Sequence, residues 1–505
     1  MEELATTEVV LDSTALVSFV AYLVVVVAIG VYATRFASSG LGEFFVGGRQ
    51  MNRFVVALSA VVSGRSAWLL LGVTGMAYQI GASAVWAVTG YIVAELLMFL
   101  YYAGRLRRFS EAYDCITIPD FFAARFNDTF GVLRIPLVAI ILVFMVSYVA
   151  AQFVAGGKAF TASFGLSNTS GLLLTAAIVL IYTVLGGFLA VSLTDVLQAL
   201  FMIVALVLLP LVAIVSRGGL RAVIDQLAAL DPTMIDPFTL SAGALVGFLG
   251  IGLGSPGNPH ILVRYMSIRD PEQLRFSAVV GTVWNVVMAW GALFIGLVGR
   301  VYFPIPDLLP AGDAENLYVA LARQQLHPIL LGLVIASIFA AIMSTADSQL
   351  LVAASSIVRD LYQKVFRRGR ELSSRRLVIY SRVVVVLLVL LALLFGYLAH
   401  DLVFWLVLFA WAGLGAAIGP TSILALYWRR TTRAGVLAGL LAATAVTFIW
   451  RADDSLNDSL YVLIPGFLAA FVATVVVSLV TEPPDDADEM LDRMTDSGEG
   501  KRRPG

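Results

Sequence analysis

Apolar runs of about twenty residues alternate with short polar or turn-rich breaks along most of this chain. A helix of about twenty apolar residues crosses a hydrocarbon core of about 30 Å. Reading each run as one helix predicts an all-α polytopic membrane protein with thirteen transmembrane helices. These are expected near 14–33, 54–79, 84–104, 135–163, 171–185, 188–215, 240–262, 277–302, 328–357, 377–399, 402–428, 434–451 and 459–481. Only Gly186 and Gly187 separate the fifth helix from the sixth.

Composition agrees with this pattern. Of the 505 residues, 60% are hydrophobic and 13% are charged, and the mean hydropathy is +0.91. A soluble domain carries about 25% charged residues, so a soluble enzyme, a secreted disulfide scaffold and a nucleic-acid binder are all poor fits. The single cysteine, Cys115, and three widely spaced histidines predict neither a disulfide nor a metal centre. We expect no cofactor and no nucleic-acid partner, and the sequence makes no prediction of oligomeric state.

The basic residues predict the orientation, because Lys and Arg collect in cytoplasmic loops. With thirteen helices, 26 of the 33 Lys and Arg residues fall on one side and six on the other, and Arg65 lies inside a helix. Residues 1–13 are therefore expected outside the cell and residues 482–505 in the cytoplasm, as a disordered tail, with the plasma membrane as the location. Residues 1–13 lack the basic stretch of a signal peptide, so the first helix is expected to remain as an anchor.

Two predicted helices are interrupted by polar residues, Gly and Pro. The second contains the sequence VSGRSAW at 62–68, and the seventh contains GIGLGSPGNP at 250–259. Backbone groups freed inside a membrane are tolerated only beside a cavity or a ligand. The two breaks are five helices apart, as in two inverted five-helix repeats, and such a pair points to a transporter's binding site. Packing kinks are the alternative; a channel would need a polar pore stripe or a filter loop, and the sequence shows neither.

A third polar feature lies in the ninth helix, where Ser344 and Thr345 are followed by Asp347. Hydroxyl oxygens and freed carbonyls suit a small hard cation such as Na⁺. A carboxylate inside a membrane is costly and indicates function by default. Asp195, early in the sixth helix, is a second candidate acid. Packing hydroxyls and a structural acid at a helix end are the alternatives.

Several ordered stretches together resemble the sodium/solute symporters, most closely the sodium/proline symporter branch, over residues 14–481. The matching stretches are 47–49, 57–60, 68–70, 104–107, 182–192, 194–195, 259–264, 343–345, 348–352 and 411–413. The resemblance implies a LeuT-like core of ten helices at 54–428, built from inverted repeats at about 54–215 and 240–428. One peripheral helix, 14–33, precedes this core and two, within 434–481, follow it. It also implies that inward Na⁺ flow drives solute uptake by alternating access, without covalent chemistry.

The resemblance also implies which residues bind. The sodium site would use Val62, Arg65, Ala341, Ser344 and Thr345, and the ion-coupling acids would be Asp195 and Asp347. The solute site is expected at the two breaks and would use Ser63, Gly64, Ser66, Trp68, Tyr148, Ile251, Gly254, Ser255 and Pro259.

The chain departs from the proline branch at Gly64 and Arg65, where that branch has an acidic residue followed by Met. A positive charge about 4 Å away costs a bound Na⁺ about 4 kcal/mol at an effective dielectric constant of about 20. Our hypothesis is that Arg65 forms an ion pair with Asp347, which would leave the Na⁺ site usable or replace the ion. The alternative places Arg65 unpaired in a water-filled vestibule.

A further departure concerns the solute. Ile251 and Ser255 stand where the proline branch has aromatic residues, which predicts a larger or differently shaped pocket. A free helix N-terminus at the glycine-rich break could bind a carboxylate through its N–H groups. The expected solute is therefore proline or a related amino or carboxylic acid. A carrier that has lost Na⁺ coupling is one alternative, and a membrane solute sensor is a remote one.

Overall fold

The structure, a computed structural model, describes residues 12–33, 41–185, 187–367, 373–399 and 402–495. Within these ranges the chain forms no strand, and its only β-bridge joins Met51 to Ile268. The α-helices are α1 (Ser13–Ala33), α2 (Leu41–Val46), α3 (Arg53–Ser63), α4 (Thr74–Ile80), α5 (Val85–Leu97), α6 (Ala103–Ala112), α7 (Ile118–Arg125), α8 (Arg134–Phe164), α9 (Asn168–Leu185), α10 (Phe188–Ser216), α11 (Leu220–Leu230), α12 (Ala242–Gly250), α13 (Pro259–Ser267), α14 (Leu274–Tyr302), α15 (Leu317–Gln325), α16 (Pro328–Ser355), α17 (Ser374–Leu398), α18 (Val403–Tyr427), α19 (Arg433–Ala452), α20 (Asp454–Ser459), α21 (Leu463–Leu479) and α22 (Ala487–Thr495).

The helices have the length and composition of membrane spans. In the described ranges, nine helical stretches are long and apolar enough to cross a bilayer. Four shorter apolar helices accompany them at Arg53–Ser63, Asn168–Val184, Ala242–Gly257 and Leu463–Leu479. The predicted all-α polytopic membrane fold is thereby confirmed.

The tight turn expected between the fifth and sixth predicted helices lies between α9 and α10. Helix α9 ends at Leu185 and α10 begins at Phe188. Gly187 has a φ of +92°, which side chains with a Cβ rarely adopt. Glycine at this position therefore allows two long helices to follow one another with almost no loop. Gly186 lies outside the described residues.

Helix α16 is the most deeply buried of the long helices. Every residue from Val334 to Ser355 is buried, and α16 packs against α1, α8 and α10. A helix that is apolar all round and still carries Ser344, Thr345 and Asp347 has to pair these groups inside the protein. Burial of α16 therefore brings the polar part of the predicted ion site to the centre of the bundle.

Clusters of ion pairs connect α8 to neighbouring helices at both of its ends. Near its C-terminal end, Lys158 Nζ lies 2.7 Å from Asp313 and 2.6 Å from Glu315. Glu315 also accepts hydrogen bonds from the first amides of α18, those of Val403 (3.0 Å) and Phe404 (2.9 Å). This cluster links α8 and α18 through the loop that precedes α15.

At the other end of α8, Arg134 pairs with Asp120 at 2.7 Å and with Asp360. Arg359 adds a second contact to Asp120 at 3.2 Å. Burial alone would raise the pKa of Asp120, but these two guanidinium groups hold it below its ordinary value. The cluster fixes α7 and α8 to the end of the helical stretch that continues α16.

The end of the described chain corrects one prediction. Residues 482–505 are expected as a disordered tail, yet α22 spans Ala487–Thr495 and buries Met490, Leu491 and Met494. Its opposite face is polar, and Asp488 and Asp492 lie within 2.9 Å of Arg429. The three apolar side chains recur at helical spacing, a pattern typical of an amphipathic helix. The high share of charged residues in this segment hides that pattern when only composition is considered. Residues 1–11 and 496–505 lie outside the described residues.

Candidate binding site

The first predicted break is present between α3 and α4. Helix α3 ends at Ser63, and Gly64 caps it with φ −87° and ψ −6°. Ser66 has a φ of +42°, an uncommon conformation for a residue with a side chain. The helix then resumes with a wide π-type stretch at Trp68–Val73 before α4. Polar and glycine residues in the middle of an apolar run thus end the helix, as predicted.

The second predicted break is present between α12 and α13. The chain forms a tighter 3-10 stretch at Ile251–Gly257, Asn258 is extended, and Pro259 opens α13. A Cβ on Gly254 would lie 1.9 Å from Trp411 Nε1. The same nitrogen donates a 2.8 Å hydrogen bond to the Ile251 carbonyl. Glycine at 254 therefore lets α18 contact the break closely and satisfy one of its freed carbonyls.

A small enclosed space lies between the two breaks, α5 and α18. It is lined by Gly64, Arg65, Trp68, Tyr91, Tyr148, Ile251, Val407, Leu408 and Trp411. Four of the nine residues predicted to bind solute are in this lining: Gly64, Trp68, Tyr148 and Ile251. Arg65 is predicted as an ion ligand, and Tyr91 and the three α18 residues are not among the predicted site residues. Aromatic walls around a single charged side chain are the kind of lining that small-molecule sites use. The space itself is about 10 Å³, room for about one water molecule, so it has to widen to admit a solute.

Five predicted solute residues are buried but do not line this space: Ser63, Ser66, Gly254, Ser255 and Pro259. Ser66 accepts hydrogen bonds from the Trp68 amide (3.1 Å) and from the Tyr148 hydroxyl (3.4 Å). Its role here is to fix two lining residues in place. Gly254 contacts α18, as described above.

A larger cavity approaches the same space from one end of the bundle. It is lined by the start of α12, by Trp405, and by the segment from Asn457 to Val462. It ends at Ile251 and Leu408, which also line the enclosed space. These two side chains therefore separate an open vestibule from the buried cavity.

Arg65 forms an ion pair with Glu95 of α5, not with Asp347. The predicted Arg65–Asp347 pair is wrong, and so is the unpaired alternative. Asn285 of α14 connects the two charges, because its Oδ1 accepts from Arg65 Nε at 2.7 Å and its Nδ2 donates to Glu95 Oε2 at 2.7 Å. The guanidinium lies 3.8 Å from the centroid of the Tyr91 ring. The positive charge inside the first break is thus neutralised by an acid on α5.

The predicted ion-binding residues meet where α3 contacts α16. Thr345 Oγ1 donates to the Ser63 carbonyl at 3.0 Å, and Ser344 Oγ donates to the Ala341 carbonyl at 3.1 Å. Each hydroxyl uses its hydrogen in this way and keeps its lone pairs. The Val62 carbonyl accepts one N–H at 3.0 Å and has a second lone pair. Buried neutral oxygens with free lone pairs are suitable ligands for a small monovalent cation.

Asp195 lies beside this region in a second polar cluster. Its Oδ2 accepts from Ser59 at 2.5 Å and from Ser63 at 3.4 Å. Ser63, predicted as a solute ligand, therefore directs its side chain to the acid and away from the solute cavity. Arg264 of α13 pairs with the same Oδ2 at 3.4 Å. The carboxylate thus joins α3, α10 and α13.

Asp347 is completely buried on α16. Its Oδ1 accepts from Ser348 Oγ at 3.1 Å. Its Oδ2 has no hydrogen-bond partner among the described residues. Ser348 also contacts Arg264, and Arg264 pairs with Asp195. Both acids therefore lie near the same guanidinium group.

Sequence reasoning missed Glu95 and Arg264. Glu95 is the only acidic residue in the predicted helix 84–104, a signal as strong as that used for Asp347. Arg264 was counted with the loop residues because it follows the end of the predicted seventh helix. The continuation of α13 to Ser267 buries it instead.

Residues 44–443 match the model of the sodium:solute symporter family. An osmoregulated proline transporter from Bacillus subtilis (strain 168) is 36% identical over 94% of this chain and 96% of its own length. A high-affinity proline transporter from the same organism is 38% identical, with 91% and 96% covered. A sodium/proline symporter from Staphylococcus aureus (strain JH9) is 37% identical over 92% of each chain.

Solved structures show the same fold at lower sequence identity. A Na⁺-coupled sialic acid symporter, substrate-bound in an outward-open state, superposes with a TM-score of 0.80 at 18% identity, covering 94% of this chain and 98% of its own. Mhp1, a nucleobase-cation-symport-1 family transporter, gives a TM-score of 0.53 at 15% identity, with 89% and 98% covered.

Proposed function

This chain belongs to the sodium:solute symporter family, and we propose that it uses the inward flow of Na⁺ to take up proline or a closely related amino acid. Family members named above are transporters, and this chain is a transporter and not an enzyme. Three relatives between 36% and 38% identical over nearly the whole chain carry proline in their names, which supports this solute class.

The architecture we propose has thirteen membrane crossings around a ten-helix inverted-repeat core. The nine long and four short apolar helices supply the segments. The breaks after α3 and after α12 take the corresponding positions of the two repeats. The distribution of basic residues favours an outer N-terminus, a cytoplasmic C-terminus and residence in the plasma membrane.

One observation supports coupling between Na⁺ binding and solute binding: the same break faces both the ion region and the solute cavity. The Ser63 carbonyl accepts from Thr345 on the ion side, and Arg65, two residues later, lines the solute cavity. A cation that orders the backbone at 62–65 would therefore also order the solute site. Such a shared element gives reciprocal coupling between two ligands.

In this proposal Na⁺ binds between Val62, Arg65 and Ala341, through their carbonyls, and Ser344 and Thr345, through their hydroxyls. Asp195 and Asp347 lie alongside and set the charge of the region, with Arg264 as their counter-ion. Alternating access then opens the cavity first to one side and then to the other. Ile251 and Leu408 would separate on one side, since they divide the vestibule from the cavity.

The alternative, a carrier that has lost Na⁺ coupling, requires that the charge of Arg65 repels the ion. The Arg65–Glu95 pair removes that argument, because the two charges cancel within the same buried contact. Coupled transport is therefore the function that the geometry favours.

Uptake of radiolabelled proline into proteoliposomes, with an inward Na⁺ gradient or an equal K⁺ gradient, tests the proposal. We expect accumulation above the outside concentration only with Na⁺. Equal uptake in both gradients would exclude symport, and no uptake of proline with Na⁺ would exclude this solute.

A further inference from the structure

The guanidinium of Arg65 lines the enclosed space and has N–H groups that its contacts within the protein do not use. Nε donates to Asn285 at 2.7 Å, Nη1 donates to the Gly64 carbonyl at 3.2 Å, and Nη2 faces Glu95. Arginine has five N–H groups, so these three contacts leave two unassigned. Tyr91 covers one face of the guanidinium. The N–H groups lie in the plane of the guanidinium, so this ring does not block the two that remain.

Other polar atoms around the same cavity also lack partners. Trp68 Nε1 and Tyr91 Oη are buried and have no hydrogen-bond partner in the part of the chain that the structure describes. Leaving such buried groups unpaired costs about 1–3 kcal/mol each. A solute that brings acceptor oxygens to this wall would satisfy them.

From this arrangement, we propose that Arg65 is a solute-binding residue that takes the carboxylate of the transported solute and makes a carboxylate obligatory for recognition. The inference rests on the proposed function, because it assumes that the enclosed space is the solute site. A planar guanidinium with two N–H groups left uses them well on a carboxylate, which guanidinium groups often bind in bidentate geometry. The aromatic walls formed by Trp68 and Tyr148 surround the remainder of a small solute.

Glu95 and Asn285 are positioning residues in this proposal. Neither lines the cavity, and Asn285 fixes the mutual orientation of the two charges through its two hydrogen bonds. A Cβ on Gly64 would lie 3.1 Å from Ile261, a tight contact, and 3.5 Å from Glu95 Oε1, an ordinary one, so glycine mainly relieves the packing against α13. The paired acid also keeps the empty site neutral, so that a neutral zwitterion is accepted.

The test compares ligands that differ only in the carboxylate. Thermal stabilisation of the purified full-length protein is measured with L-proline and with L-prolinamide, at saturating Na⁺. The wild type is expected to bind proline about 10- to 100-fold more tightly, the range for a charge-assisted hydrogen-bonded pair. The double variant Arg65→Met/Glu95→Ala removes both charges together, and it should lose most of this preference while it keeps its melting temperature within a few degrees.

Arg53→Met is the matched control, because Arg53 is an exposed arginine at the start of α3, the helix that leads into the break. It should keep the wild-type preference. Equal affinity of the wild type for proline and prolinamide, stabilisation by neither, or an unchanged preference in the double variant would overturn the role of Arg65. Failure of the proposed function is a separate result, since it appears as Na⁺-independent uptake in proteoliposomes even where the carboxylate preference is intact.

Discussion

At the scale of single residues, the proposed ion site depends on two hydroxyls of α16. Ser344 and Thr345 are completely buried, and Thr345 also joins α16 to the first break through the Ser63 carbonyl. Substitution of either residue by Ala should raise the half-saturating Na⁺ concentration of proline uptake about tenfold. The reason is that loss of one ligand weakens the binding free energy of Na⁺ by about 1.4 kcal/mol, which corresponds to a tenfold change in affinity. The effect of Thr345→Ala should be the larger of the two.

Thr447→Ala is the control for these substitutions. Thr447 is equally buried but bonds only to its own helix, at the Ala443 carbonyl (2.8 Å). Its Na⁺ dependence should match that of the wild type. If Ser344→Ala and Thr345→Ala also match the wild type, the ion lies elsewhere.

The Arg65–Glu95 pair predicts an asymmetry in stability. Glu95→Gln leaves a buried guanidinium without its counter-charge, which typically costs about 3–5 kcal/mol. The double variant Arg65→Met/Glu95→Ala removes both charges and should recover most of that loss. Thermal unfolding in detergent measures both, and a double variant less stable than Glu95→Gln would show that the two charges do not act as a pair.

At the scale of helices, the second break depends on close contact with α18. Gly254→Ala places a methyl group against Trp411 Nε1, and overpacking of this kind costs about 1–3 kcal/mol. We expect a lower melting temperature and loss of proline uptake. Gly42→Ala is the matched control, because a Cβ there meets no atom within 4 Å; equal behaviour of the two variants would show that the contact between the break and α18 is not needed.

Helix positions could be predicted and their charged contacts could not. Hydropathy fixes the ends of α8 and α14 within a few residues, because the bilayer demands long apolar runs. Which charges meet depends on how helices distant in sequence pack. Arg65 pairs with Glu95 and Asn285, contacts that no local spacing encodes, and the expectation of Asp347 relied on its position beside Ser344 alone.

At the scale of the whole molecule, α22 attaches the C-terminal segment to the bundle. Its apolar side chains pack mainly against α6. Met490→Asn together with Met494→Asn should release it and speed backbone hydrogen exchange over Ala487–Thr495 by at least about tenfold. Asp488→Asn with Asp492→Asn removes only exposed ion pairs, worth at most about 1 kcal/mol each, and should change exchange much less; the reverse order would show that charge holds the helix.

The enclosed cavity and the ion region can act together in transport only if the first break couples ion binding to solute binding. In the proposed function residues 62–65 serve both sites, because the Ser63 carbonyl accepts from Thr345 beside the proposed ion and Arg65 lines the proposed solute cavity. In the proposed function, binding of either ligand strengthens binding of the other, and thermodynamic linkage requires the two factors to be equal.

Calorimetric titration of the purified protein measures that factor directly. Proline is titrated with and without saturating Na⁺, and Na⁺ is titrated with and without saturating proline. We predict that each ligand lowers the Kd of the other at least about fivefold, by equal factors within error. A Kd for proline that does not change with Na⁺ would contradict the claim that one broken helix couples the two sites.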